Sequence, residues 1–214
     1  MRADWDVIVV GAGLAGLTAG ATAAAGGART VVLEARRPGG RCRTSTKGQY
    51  IFNMGPHALY LGGPGAPILR QLGVEPEGVR APFPTYRLWK DGRHHQVPHG
   101  PGSLLRTTVM GAAAKAQFAR MLGALPLTNA SRLGGVSVRE WLDGHRLRDD
   151  AAAVVTTLVR LSTYTGDMGE FSADAAVRQL QIGARPGVVY LHGGWAQLIE
   201  GLAKLVEVRP GQAV

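Results

Sequence analysis

Residues 7–20 read VIVVGAGLAGLTAG. A short β-branched run bounded by glycine is the pattern of a strand buried in a parallel sheet, which places one over residues 5–10. Residues 14–25 carry Leu, Ala, Thr and Gly, small side chains that let a helix lie close to a sheet, and Gly26-Gly27 stops it. Residues 29–34, RTVVLE, form a second strand by the same criteria. Strand, glycine turn, helix and strand within about 30 residues make a βαβ unit, with a right-handed crossover by default.

Beyond Glu34 the pattern becomes more broken. The loop ARRPGGRCRT leads into KGQYIFNMGPH, which predicts a short strand entering a Gly-Pro turn. Residues 61–67 read as loop, and 66–72 as a helix ending at Gly73. Residues 85–98 predict a hairpin around Asp91-Gly92. Residues 102–122 read as one helix, with Leu104, Leu105, Val109, Phe118 and Leu122 on roughly one side. Ser137, with Glu140 three residues on, has capping-box spacing and opens another helix. Further helices are expected over 149–162, 172–182 and 195–206, and the final VEVRPGQAV begins a strand or hairpin.

Composition narrows the function classes. The chain has 214 residues, 45% hydrophobic and 18% charged, ordinary values for a globular protein. The net charge of +9 is spread without a run longer than two basic residues. No interleaving with aromatic residues suggests base stacking, and the footprint of a clustered basic face is missing, so nucleic-acid binding is not expected. Cys42 is the only cysteine, which excludes an internal disulfide and a cysteine-based metal site. No signal peptide and no apolar segment of about 18 residues is seen, so a cytoplasmic protein without a transmembrane helix is expected. The helix at 102–122, with Arg106, Lys115 and Arg120, is read as core, with peripheral membrane contact as the alternative.

The chemistry concentrates at Gly11-Ala12-Gly13-Leu14-Ala15-Gly16. Gly11 permits a tight turn out of the strand. Gly13 lets the backbone approach a pyrophosphate, and Gly16 allows close helix–strand packing. The helix start then offers free N–H groups and partial positive charge to phosphates. Glu34, 18 residues after Gly16, ends the second strand, where a carboxylate accepts hydrogen bonds from ribose hydroxyls. It would repel a 2′-phosphate, which disfavours NADP, although Arg36 and Arg37 at the strand end leave that site open. Ala35 and Arg36 complete the expected ribose-side segment.

Directly after this acid stands Arg37-Pro38-Gly39-Gly40-Arg41-Cys42-Arg43-Thr44. It resembles the arginine, double-glycine, arginine, Ser/Thr motif of the glycine-doublet flavoproteins, which include monoamine oxidases, protoporphyrinogen oxidases and the phytoene desaturase group. Two glycines let backbone approach a cofactor, and Arg41 brings fixed positive charge near the pyrophosphate. Asn53-Met54-Gly55-Pro56-His57 resembles the segment that passes the flavin end of FAD in these proteins, with Asn53 where the family often has an acid. Residues 186–205, with Gly193-Gly194 leading a helix, resemble the point where such chains re-enter the FAD domain.

The resemblance implies an α/β fold: a Rossmann-like FAD-binding βαβ domain with a mostly helical substrate-domain insertion. Its parts would be 1–60 for the cofactor, 61–187 for the substrate and 188–214 for the return. It implies FAD, held by Gly11 to Gly16, Glu34 to Arg36, Gly40, Arg41 and Met54 to His57. It also implies an oxidoreductase moving hydride from a C–N or C–C bond of a small apolar or amine substrate to flavin. The family's members are far longer, so the chain is expected to be C-terminally incomplete. A non-catalytic nucleotide-binding fragment, or one subunit of a split enzyme completed by a partner chain, stays open. So does an NAD-dependent dehydrogenase, which the double-glycine loop argues against. No residue presents itself as a catalytic base. His94, His95 and His99 lack the carboxylate or Cys partners a metal site needs. No Gly-x-Ser-x-Gly elbow is present, and Asp149-Asp150 reads as a helix-start charge pair.

Overall fold

The computed structural model describes residues 4–80, 86–184 and 187–214. Residues 85 and 186, where two of the segments read from the sequence begin, lie outside the described residues. The chain divides into two compact units, Met1–Ala81 with Val188–Val214, and Pro82–Gly187.

The first unit is built on the βαβ start. Strand β1 (Val7–Val10) runs through the glycine turn into helix α1 (Leu14–Ala25) and returns as β2 (Thr30–Glu34). The strands are parallel, with Val7 opposite Thr30 and Val10 opposite Leu33. The third strand of this sheet comes from the chain's end. Strand β10 (Glu207–Pro210) pairs parallel with β2, so the order is β1-β2-β10. The core under this sheet contains Leu17 and Ala21 of α1, Val32 of β2, and Leu198 and Leu202 of helix α8 (Ala196–Ala203). Gly20 of α1 packs against Val32 and Val206, a contact that a larger side chain would obstruct. Because β10 joins on the β2 side, β1 is an edge strand among the described residues. It is covered on one face only: Ile8 and Val10 are 58% and 61% exposed, where the apolar run predicts burial on both faces.

Two smaller sheets complete this unit. Strands β3 (Thr44–Lys47) and β4 (Tyr50–Asn53) form an antiparallel hairpin. Strands β5 (Leu59–Tyr60) and β6 (Gly78–Arg80) flank β9 (Val188–Leu191). Helix α2 (Gly65–Gln71) is capped by Leu72 and stops at Gly73, as its sequence predicts. Residues 61–80, read from the sequence as the start of the substrate part, therefore lie in the unit that holds the glycine turn.

The second unit opens with the hairpin β7 (Arg87–Lys90) and β8 (Arg93–Gln96), turning at Asp91-Gly92 as its sequence predicts. The helix read over 102–122 is two helices. Helix α3 (Pro101–Arg106) ends at Thr107, whose extended backbone and hydroxyl bond to the Gln96 carbonyl (2.6 Å) turn the chain inward. Val109 and Met110 are buried in the break, and α4 (Ala112–Ala124) starts after Gly111. The β-branched run Thr107-Thr108-Val109 followed by Gly111 is poor helix material, which explains the interruption. Leu105, expected on the packed side, is exposed.

Helix α5 (Val138–Gly144) has its capping box formed: the Glu140 N–H donates to Ser137 Oγ (3.2 Å), and the Ser137 N–H donates to Glu140 Oε2 (2.8 Å). Helix α6 (Asp149–Thr163) begins at the acidic pair, and α7 (Ala173–Ala184) packs beside it. Phe118, Trp141, Val155, Val159 and Val177 form the core of this unit. Among the described residues no helix is long and apolar enough to cross a membrane.

Candidate functional site: a glycine cradle at the start of the first helix

The site begins with the chain leaving β1. Gly11 has φ +98°, a left-handed value that a side chain would strain, and its N–H donates to the Leu33 carbonyl (2.7 Å). The turn brings the Gly11 carbonyl against Gly16, where a Cβ would collide with that oxygen. Gly13, by contrast, has open space where its side chain would be. It forms the N-cap of α1 with no side-chain cap, and no acidic residue sits in the first turn. The N–H groups at the start of α1 therefore face an open position with partial positive charge, the chemistry that a pyrophosphate requires.

The double-glycine loop lies directly on this turn. The Gly39 N–H donates to the Ala12 carbonyl (2.7 Å), and Gly13 and Gly39 form a parallel bridge. A Cβ on Gly40 would sit 3.4 Å from the Gly13 Cα. Gly39 has φ +116°, so it is fixed as glycine by conformation. Gly39 is absent from the cofactor-contact residues read from the sequence, yet it makes the bond that joins the two loops. The signal was present as the first glycine of the doublet. Only the fold shows that this glycine faces Ala12.

Glu34 braces the same turn from the strand side. Its Oε2 accepts the Ala12 N–H (2.8 Å) and its Oε1 accepts the Arg36 N–H (2.9 Å). The backbone N–H groups of Arg36 and Ala12 hold its carboxyl below the usual range, helped by the charges of Arg43 and Arg36. Each carboxylate oxygen keeps acceptor capacity for a further hydroxyl. Arg43 Nε donates to the Gly40 carbonyl (3.0 Å), fixing a guanidinium at the loop. Ala35, Arg36 and Arg41 are exposed.

The flanking hairpin adds the next layer. A Cβ on Gly55 would collide with the Arg41 carbonyl, and the Met54 N–H donates to the Arg43 carbonyl (2.9 Å). Asn53 Oδ1 accepts the Trp195 N–H (3.2 Å), and Gly194 leaves no room for a side chain against Thr44 and Asn53. Asn53, unexpected at an acidic position, therefore ties the hairpin to the chain's return. The Trp195 indole N–H is buried without a hydrogen-bond partner among the described residues. Cys42 is buried beside this turn, and burial pushes its thiol up against the opposing charge of Arg41.

The structure thus brings Gly11 to Gly16, Glu34, Gly40, Arg41, Met54 and Gly55 to one place. Leu14 and Pro56 are half-buried, and Ala15 and Met54 are exposed. His57 is exposed, and no hydrogen bond or ion pair among the described residues ties its side chain to the cluster. In the other unit, His95 is buried with its ring between Thr108 Oγ1 (2.8 Å) and the Lys90 carbonyl (3.2 Å), and the His94 ring meets Trp89 edge-on. Among the described residues no three His, Cys, Asp or Glu side chains converge as metal ligands.

Comparison with curated proteins gives no match. Three of the similar solved structures illustrate the fold. An oxidoreductase from Methanosarcina mazei is 19% identical with a TM-score of 0.76, over 96% of this chain and 51% of that one. Putrescine oxidase bound to putrescine is 22% identical with a TM-score of 0.69, over 97% and 51%. A CLA-producing fatty acid isomerase from P. acnes is 17% identical with a TM-score of 0.66, over 99% and 52%. The chain spans about half the length of these proteins, and at such identities the likeness is one of fold. Residues 9–72, which hold the glycine turn, Glu34, the double-glycine loop and Met54 to His57, match the family model of the NAD(P)-binding Rossmann-like domain, so this part of the chain is a Rossmann-like dinucleotide-binding fold.

Proposed function

We propose that this chain binds FAD and belongs to an oxidoreductase of the amine oxidase or desaturase type. The observation that carries the reading is the seating of the double-glycine loop on the glycine turn, through Gly39 to Ala12 and Gly40 against Gly13. A simple NAD site needs the turn and the acid, but not a second glycine loop closed over them. The likeness to putrescine oxidase supports the same reading.

The residues divide the task by chemistry. The N–H groups at the start of α1, with Gly13 bare beside them, hold the pyrophosphate. Glu34 accepts from the adenosine ribose while it braces the turn. Arg41 supplies fixed charge at the phosphates, and Met54 to His57 line the approach to the isoalloxazine. The flavin, when bound, supplies acceptance of a hydride at N5. The protein's part is to position it, set its electrostatics and exclude water. The substrate would be a small amine or apolar molecule, oxidised at a C–N or C–C bond.

A second reading has its own observation. The open face of the sheet at β1, where Ile8 and Val10 are exposed, is a surface that a partner chain would cover in a split enzyme. The visible spectrum of the purified chain tests the cofactor. Oxidised-flavin bands that survive desalting support FAD. A colourless chain that binds NAD and not FAD overturns it.

A further inference from the structure

Residues 92–139 contain Arg93, Arg106, Lys115, Arg120, Arg132 and Arg139, and no aspartate or glutamate. Within this run stand the two most exposed leucines among the described residues, Leu127 at 89% and Leu105 at 77%. They bracket α4. Lys115 Nζ, in the first turn of that helix, donates to the Leu105 carbonyl (2.8 Å) and so sets Leu105 beside its start. Leu127 closes the short 3-10 turn that follows its end. Thirteen helical residues separate the two by on the order of 20 Å. Between them α4 buries Ala114, Phe118 and Met121 and leaves Ala112, Ala116, Ala119, Arg120 and Gly123 exposed.

No acid among the described residues pairs with the cations of this face, although Lys115 Nζ and Arg106 Nε each also donate to a backbone carbonyl. Among the described residues Arg106, Lys115, Arg120 and Arg132 form no ion pair. The acids that approach from neighbouring elements are engaged: Asp150 accepts the Gly111 N–H (2.8 Å), and Asp174 holds Ser172 and Arg178. Exposed leucines about 20 Å apart, with only small side chains and arginine between them, offer no groove for a peptide anchor. A nucleic acid would satisfy the cations and leave the leucines in water. A bilayer with anionic headgroups satisfies both, since leucine enters the headgroup–acyl boundary while the cations meet the phosphates.

We propose that α3, α4 and the turn through Arg132 form a docking face for an anionic lipid surface. This inference stands apart from the cofactor reading, because its residues lie in the other unit and its test needs no flavin.

The test is co-sedimentation of the full 214-residue chain with phosphatidylcholine vesicles, and with vesicles that also contain phosphatidylserine. Binding is expected to be about tenfold tighter or more on the anionic vesicles, and to weaken as salt rises. Arg120→Glu with Arg132→Glu is expected to lower it about tenfold, and Leu105→Asp with Leu127→Asp to lower it similarly. Thermal melts check that these variants fold. If either pair does not, the single Leu127→Ser, beyond the helix end, replaces it and is expected to weaken binding measurably. Equal binding to both vesicle types, binding to neither, retention by duplex DNA in place of vesicles, or folded variants that sediment like the parent would overturn the proposal.

Discussion

Replacing Gly16 with alanine tests whether contact between α1 and the first turn is what demands glycine. Gly16 is the third residue of α1 and has an ordinary helical backbone, so alanine there is not conformationally strained. Helix propensity alone would favour alanine by about 1 kcal/mol. Against this, the new methyl would run into the Gly11 carbonyl oxygen and lie 3.4 Å from Val9 Cγ1. A backbone oxygen cannot rotate aside, so either the helix or the turn must move. Overpacking of this kind costs about 1–3 kcal/mol, and more when backbone is the obstacle. The net loss expected is about 1–2 kcal/mol, which lowers Tm by about 2–8 °C in a chain of this size. Thermal unfolding followed by circular dichroism, without added cofactor, reads it directly. Gly13→Ala is the control. Its φ of −74° and open surroundings allow the methyl, so Tm should hold while FAD affinity falls about tenfold, because the methyl fills the pyrophosphate's space. A Gly16→Ala protein that melts at or above the parent would mean that contact with the Gly11 carbonyl does not demand glycine here.

Other perturbations follow from the same contacts. Gly39→Ala, at φ +116° and crowding Arg43, is expected to detach the double-glycine loop and abolish flavin retention, read by the spectrum after desalting. Glu34 has its folded pKa held below the ordinary value of 4.5, so its contribution to stability is fully present above that pH and is lost as pH falls through the lowered value. Melts across that acid range should show a Tm slope that Glu34→Gln reduces. An unchanged slope would mean that the Ala12 and Arg36 bonds contribute nothing. Ser137→Ala removes the cap of α5 and should cost about 1 kcal/mol, or roughly 2–4 °C in Tm, with no effect on cofactor affinity.

Local patterns made the cradle legible. Three glycines at Gly11, Gly13 and Gly16 after a β-branched run admit few arrangements, and the structure shows the turn, the close approach and the bare position that they call for. The capping box at Ser137 and the turn at Asp91-Gly92 were readable for the same reason, since each is decided within a few residues. What escaped the sequence depends on distant pairing. That β10 joins β2 and leaves β1 at the edge among the described residues is a choice of neighbour, not of strand propensity. The pairing of β9 between β5 and β6 joins segments more than 100 residues apart. The break at 107–111 was hidden because Leu104, Phe118 and Leu122 keep an apparent helical spacing across it, while the Thr107 bond to Gln96 comes from the preceding hairpin. Asn53 looked like a lapse from the family pattern until its contact with Trp195 gave it a structural role.

On the proposed function, the cradle formed by Gly11 to Gly16, Glu34 and Gly39 to Arg41 is made for FAD. Equilibrium dialysis of the purified chain against FAD and against NAD tests it most directly. FAD is expected to bind at least about tenfold more tightly than NAD, a difference of about 1.4 kcal/mol or more. NAD bound as tightly as FAD, or more tightly, would contradict it.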